Sequence, residues 1–179
     1  FVIAATFLER GGIARALVDA AQAWVGQIRG GVGLVGITAC ALFATMCGSS
    51  VATAIAMGTI LIPAMLRSGY SGGFASGVVA SAGTLGILIP PSLAFVIYGV
   101  LADVSIPRLF LAGVIPAILQ IVMISGYIIW FSRKNNYAID SSAIPRSEKL
   151  HKTLLALPTL LIPLIVLGGL YGGFMTLSE

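Results

Sequence analysis

The sequence predicts an all-α integral membrane protein in which a re-entrant helical hairpin meets a transmembrane helix broken in mid-membrane. Three observations lead there. Charged residues are only 9% of the 179 while hydrophobic ones are 58%, and the mean hydropathy is +1.05, whereas soluble domains carry about 25% charge. Residues 30–66 form an uncharged run that is too long for one span of about 20 residues and too short for two spans with a turn. Residues 74–102 form a second uncharged run, with Pro90 and Pro91 across its middle. Most of the 22 glycines and 8 prolines lie inside apolar runs, where they act as packing and bending devices rather than as signs of disorder.

Taken in order, residues 1–9 read as the end of a truncated transmembrane span. The chain opens at Phe1 inside an apolar run, so it is expected to be a fragment. Residues 10–29 form an amphipathic arm helix at the membrane surface: Ile13, Leu17, Ala20, Ala21, Trp24 and Ile28 recur at helical spacing, opposite Arg15, Asp19 and Gln22. Residues 30–67 make the hairpin. Its break falls at Gly48-Ser49-Ser50, where glycine permits the turn and Ser49 or Ser50 can cap the second arm. Arg29 and Arg67 flank both mouths, which places them on the cytoplasmic side.

Residues 74–102 form the broken helix. The first half is expected to end near Gly83, and the second to begin near Pro91 and Ser92, because two successive prolines cannot continue a helix and Ile89 before them is pushed out of the helical region. Residues 109–131 make an ordinary span anchored by Tyr127 and Trp130. Residues 132–152 form a loop holding Arg133, Lys134, Arg146, Lys149 and Lys152, five of the ten basic residues, and are therefore cytoplasmic. Residues 153–175 form the next span, returning outwards.

Non-helical backbone at membrane depth is tolerated only where protein buries it or a cavity lines it, so the two breaks are expected to meet. Helix C-termini and unwound carbonyls suit a cation, and helix N-termini suit an anionic group; together they make a transporter site. The apolar segments contain no carboxylate, so neutral oxygens are the available ligands, and these suit Na⁺ better than divalent ions. The candidates are the hydroxyls of Ser49, Ser50, Thr53 and Thr84 with carbonyls near Gly48, Gly83 and Gly86. Taken singly, each hydroxyl is as readily spent bonding back to its own helix. Cys40 and Cys47, seven residues apart on one helix face, are about 10.5 Å apart, too far for a disulfide. With His151 as the one histidine and no acid pair, histidine pair or Ser-Lys arrangement within the apolar segments, the sequence argues against an enzyme. A nucleic-acid partner is not expected, and a non-transport membrane scaffold is the reading from another class.

The run "GSSVATAIAMGTILIPAMLRSGYSGGFASGVVASAGTLGILIPPS", from Gly48 to Ser92, resembles the signature region of the large membrane subunit of tripartite ATP-independent periplasmic (TRAP) transporters, the DctM type. "FLERGGIARALVDAAQAWVGQIRGG" resembles that family's arm helix, and "GGLYGGFMTLSE" the start of its second half, so the likeness covers nearly the whole chain. The resemblance implies an ion-transporter type fold of two inverted repeats, of which this chain is the first half, working as an elevator in the bacterial inner membrane. It implies Na⁺-coupled import of organic acids such as C4-dicarboxylates or sialic acid, with no organic cofactor. The implied partners are a periplasmic substrate-binding protein and a small four-helix membrane subunit of the DctQ type. Carried over, Gly48, Ser49 and Ser50 match the hairpin tip, Gly83, Thr84 and Gly86 match the broken-helix side of the first Na⁺ site, and Ser50, Pro91 and Ser92 face the substrate. A carrier of the same architecture that works without a binding protein is the neighbouring alternative.

Overall fold

The computed structural model describes residues 11–26, 30–135 and 137, together with 149, 150, 152–154, 156, 157, 161, 165, 168 and 169. The expected span over residues 1–9, Ile28 and Arg29, and most of the basic loop and of the span over 153–175 lie outside the described residues.

Helix α1 (Ile13–Val25) follows a left-handed Gly12. Its apolar positions Ala14, Leu17, Val18, Ala20 and Ala21 are buried, while Arg15 and Asp19 are exposed. The buried stripe packs chiefly on α2, so protein covers much of the apolar face of the arm. Trp24, at the end of α1, is exposed and donates its indole Nε1–H to Thr153 Oγ1 at 3.0 Å.

Helices α2 (Gly31–Cys47) and α3 (Ser50–Arg67) are joined by Gly48-Ser49 alone and pack together as a helical hairpin. The arms of 17 and 18 residues are about 26 and 27 Å long at 1.5 Å per residue. Helix α2 is apolar all round and accordingly central: Leu34, Ile37, Cys40, Phe43 and Ala44 are buried, and it contacts α1, α3 and most of the helices that follow. Its hydroxyls are satisfied locally, Thr38 Oγ1 donating to Leu34 O at 2.9 Å and Thr45 Oγ1 to Leu42 O at 2.6 Å. Cys40 and Cys47 are free and buried.

The broken helix has three pieces, α4 (Gly72–Gly83), α5 (Leu85–Leu88) and α6 (Leu93–Leu101). Ser71 caps α4 by accepting from the Phe74 N–H at 3.4 Å. The helical path kinks at Thr84, which keeps helical angles, and runs one turn past Gly83 before it stops. The prolines, not the glycine, end it: Ile89 takes ψ 125° as a residue before proline must. Pro90 and Pro91, joined by a cis peptide bond, belong to the extended link, and α6 begins only at Leu93 with Ser92 as its extended N-cap.

Helix α7 (Ile106–Lys134) is longer at both ends than the span expected over residues 109–131. Pro107 sits in its first turn and Arg133 and Lys134 in its last, positions that suit a proline and cations respectively. Much of its apolar surface is exposed, including Leu111, Ile115, Ile118, Leu119 and Val122. By length and composition α3, the broken helix over Gly72–Leu101 and α7 are each able to cross a membrane.

At the end of the molecule away from the tip, the α3–α4 connection is tied to the C-terminal end of α7. Tyr70 and Ser132 are buried with their hydroxyls 3.3 Å apart. Tyr70 stacks on Tyr137 at 4.2 Å between ring centres, and Phe74 on Phe131 at 4.1 Å.

Candidate functional site

Gly48 closes α2 in the left-handed region, φ 57°, with its N–H on Ala44 O at 3.0 Å. This conformation favours glycine. A second constraint acts on the same residue, because a Cβ there would run into the Pro91 carbonyl oxygen. The tip of the hairpin therefore lies directly against the break in the other helix. The Gly48 carbonyl accepts the first N–H of α6, from Leu93, at 3.3 Å, so one break supplies the other with a backbone cap.

The other side of the tip meets α4 and α5. A Cβ on Gly86 would lie 2.6 Å from Ser49 O and 2.9 Å from Ser50 N, and one on Gly83 would lie 2.8 Å from Ala54 Cβ and 3.3 Å from Ser50 O. The structure thus brings Gly48, Ser49, Ser50, Gly83, Gly86, Pro91 and Ser92 together, with backbone carbonyls of the tip packed against both sides of the break. Pro90 is buried behind them.

The hydroxyls differ in how they are used. Ser49 is the N-cap residue of α3 but makes no side-chain cap bond, contrary to the capping expected of it; its carbonyl instead accepts both the N–H and the Oγ1–H of Thr53, at 3.1 and 2.8 Å. Thr53 is fully buried. Ser49 and Ser50 are half-buried. Thr84 is exposed on the far side of the kink, where its hydroxyl donates to Ser81 O at 2.7 Å and accepts from the Gln120 amide of α7. Gln120 also reaches Ser81 O at 3.0 Å, bracing the kink from outside. Sequence reasoning passed over Gln120, although one side-chain amide in an otherwise apolar span was a visible signal.

Ser92 stands apart. It is 1% exposed, and its Oγ is the one buried side-chain nitrogen or oxygen among the described residues without a hydrogen-bond partner. Such an orphan costs about 1–3 kcal/mol and marks a place where a ligand group is accommodated or strain is held. Among the described residues no three His, Cys, Asp or Glu side chains gather, so this site offers neutral oxygens.

A family model described as "Tripartite ATP-independent periplasmic transporter, DctM component" matches residues 1–179. The chain belongs to the DctM family. This DctM chain is 44% identical to the C4-dicarboxylate TRAP transporter large permease protein DctM of Pseudomonas aeruginosa, with all of this chain and 42% of the relative aligned. It is 42% identical to the protein of the same description from Vibrio cholerae, over all of this chain and 39% of the relative. It is also 39% identical to the isethionate TRAP transporter permease protein DctMQ of Oleidesulfovibrio alaskensis, over all of this chain and 28% of the relative. The chain therefore spans less than half the length of these relatives. These relatives are described as permease proteins of TRAP transporters.

Proposed function

We propose that this chain forms one half of a Na⁺-coupled permease that imports small organic acids across the bacterial inner membrane by an elevator movement. The observation that carries the reading is the interlock of the two breaks, Gly48 O capping Leu93 N–H while Ser49 and Ser50 lie against Gly86, in a chain of the DctM family. The hairpin is read as re-entrant, with its mouth at the water and its tip at the depth of the broken helix.

In this reading the neutral oxygens hold the coupling ion. Gly48, Ser49, Ser50 and Thr53 contribute from the hairpin, and Gly83, Thr84 and Gly86 from the broken helix. For Thr84 the contribution is its backbone, since its hydroxyl is committed to Ser81 and Gln120. Ser50, Pro91 and Ser92 face the carboxylate: Ser92 brings a buried hydroxyl with no other partner, and the start of α6 brings the positive end of a helix dipole. A periplasmic binding protein delivers the acid, and a small membrane subunit accompanies the permease. The relatives named for C4-dicarboxylates and for isethionate support an anionic group as one demand on the site.

The test is uptake of radiolabelled succinate and isethionate into proteoliposomes holding the full-length permease with its small subunit, with the binding protein added outside. Uptake of one of them that needs both a Na⁺ gradient and the binding protein is expected. Equal uptake with K⁺ in place of Na⁺ would remove the ion assignment, and uptake indifferent to the binding protein would remove that partner.

A further inference from the structure

Besides the tip, the described residues enclose a groove of about 750 Å³ between α1 and the later part of α3. Arg15 and Asp19 of α1 and Arg67 at the end of α3 line it, with Val18, Ile60 and Pro63 as its apolar wall. Both guanidiniums belong to exposed residues, and among the described residues neither is engaged in an ion pair. Arg67 ends a helix long and apolar enough to cross a membrane, and in the membrane reading of the chain the groove opens where hydrocarbon gives way to water.

We propose that this groove seats the phosphate headgroup of an anionic phospholipid, held by Arg15 and Arg67, with the upper part of an acyl chain along Val18, Ile60 and Pro63. Charge decides the class of ligand: two cations against one carboxylate leave a net positive groove, and guanidinium is the side chain that best matches phosphate geometry. Its position decides the source, since a groove with one apolar wall at the membrane–water boundary fits a molecule with a charged head and an apolar tail. The size, within the range of about 300–1,000 Å³ usual for small-molecule sites, admits such a headgroup. Asp19 sets a limit on affinity by opposing the phosphate. The lipid would bridge the arm helix and the second arm of the hairpin, α3, which otherwise touch at few places. The inference rests on the membrane reading of the chain and is independent of which ion or acid is carried.

The test uses the full-length permease, delipidated in mild detergent and titrated with phosphatidylglycerol or phosphatidylethanolamine, with bound lipid counted by native mass spectrometry. Phosphatidylglycerol is expected to bind in preference to phosphatidylethanolamine. Arg15→Gln and Arg67→Gln are each expected to weaken it about fivefold, while lysine at both positions largely restores binding. Asp19→Asn is expected to tighten binding by a similar factor. Equal retention of the two lipids, or wild-type affinity in the Arg15→Gln/Arg67→Gln double variant, overturns the assignment. Displacement by millimolar inorganic phosphate also overturns it, in favour of a soluble phosphate. Should the double variant fail to fold, Asp19→Asn carries the decision, and no gain in phosphatidylglycerol affinity refutes the proposal.

Discussion

Replacing Gly86 with alanine puts the interlock of the two breaks under direct strain. The new Cβ would stand 2.6 Å from Ser49 O and 2.7 Å from Ser49 C, both main-chain atoms that cannot rotate away. Restoring ordinary contact at 3.4 Å or more requires the tip and α5 to part by about 0.8 Å. Overpacking of this kind costs about 1–3 kcal/mol. Where the proposed ion is held by the same carbonyls, that cost appears as a loss of about 5- to 150-fold in Na⁺ affinity. The control is Gly36→Ala in α2, a buried glycine whose added Cβ would meet Leu61 Cδ1 at 3.7 Å and Val78 Cγ1 at 3.9 Å, ordinary contacts. Thermal unfolding of the purified full-length permease, followed as Na⁺ replaces K⁺ at constant ionic strength, gives both quantities, because an ion that binds only the folded state raises the midpoint with its concentration. Gly86→Ala is expected to lower the midpoint and raise the Na⁺ concentration of half-effect, with Gly36→Ala close to wild type. If the two variants behave alike in both measures, the close approach of Gly86 to the tip does not hold the site together.

Two further outcomes follow from named groups. Replacing Ser49 and Ser50 together with alanine should leave membrane insertion intact and raise the Na⁺ concentration for half-maximal uptake; an unchanged half-saturation removes their hydroxyls from the ion site. Burial holds the Tyr70 phenol above its usual pKa, with the neighbouring Tyr137 adding to the rise and the bond to Ser132 opposing it. Because the folded-state value is raised, the stability Tyr70 lends is fully present below the unfolded-state pKa of about 10 and falls as pH rises towards the folded-state value. Tyr70→Phe should cost about 1–3 kcal/mol at neutral pH by leaving Ser132 buried without its partner. It should also flatten the alkaline loss seen in thermal unfolding between pH 9 and 11, and an unchanged alkaline limb would mean another group sets it.

The hairpin was legible because its physics is local. An uncharged run too long for one helix across a bilayer needs a turn, and Gly48, with φ 57°, is where the chain makes one. The positions of Pro90 and Pro91 were equally readable, since Ile89 must leave the helix before them. What the sequence did not disclose was three-dimensional. Thr84 reads as a candidate ligand by its neighbourhood in the chain, yet one residue on a helix is about 100° of rotation, and the kink turns its hydroxyl towards Gln120. Ser49 reads as a cap, but Thr53 takes its carbonyl instead, and the capping of α6 falls to Gly48 across the fold. The α1 stripe reads as the apolar face of a helix at the membrane surface, and the structure adds that its small residues Ala14, Ala20 and Ala21 are buried where α1 packs on α2. In each case the pattern fixed the residue types on a face, and only tertiary packing decided what that face met.

The same contacts bear on how such a site moves. Sliding the tip along the break would cost the Leu93–Gly48 bond and leave a helix N–H and a carbonyl unpaired, which in the proposed membrane placement costs several kcal/mol each. Gly48 and Gly86 make the alternative path, rotation of the tip in place, equally constrained, because main-chain atoms lie against both of them. At the far end, Tyr70 and Phe74 fix the foot of the hairpin and the start of α4 to Phe131, Ser132 and Tyr137 through stacked rings and a buried hydroxyl pair. Helices α2 to α7 are thus fastened at both ends, and α1 is joined to them mainly through α2. Access to the site from alternate sides is then more cheaply reached by carrying this fastened group as one body than by opening the hairpin. That is the physical argument for the proposed elevator movement.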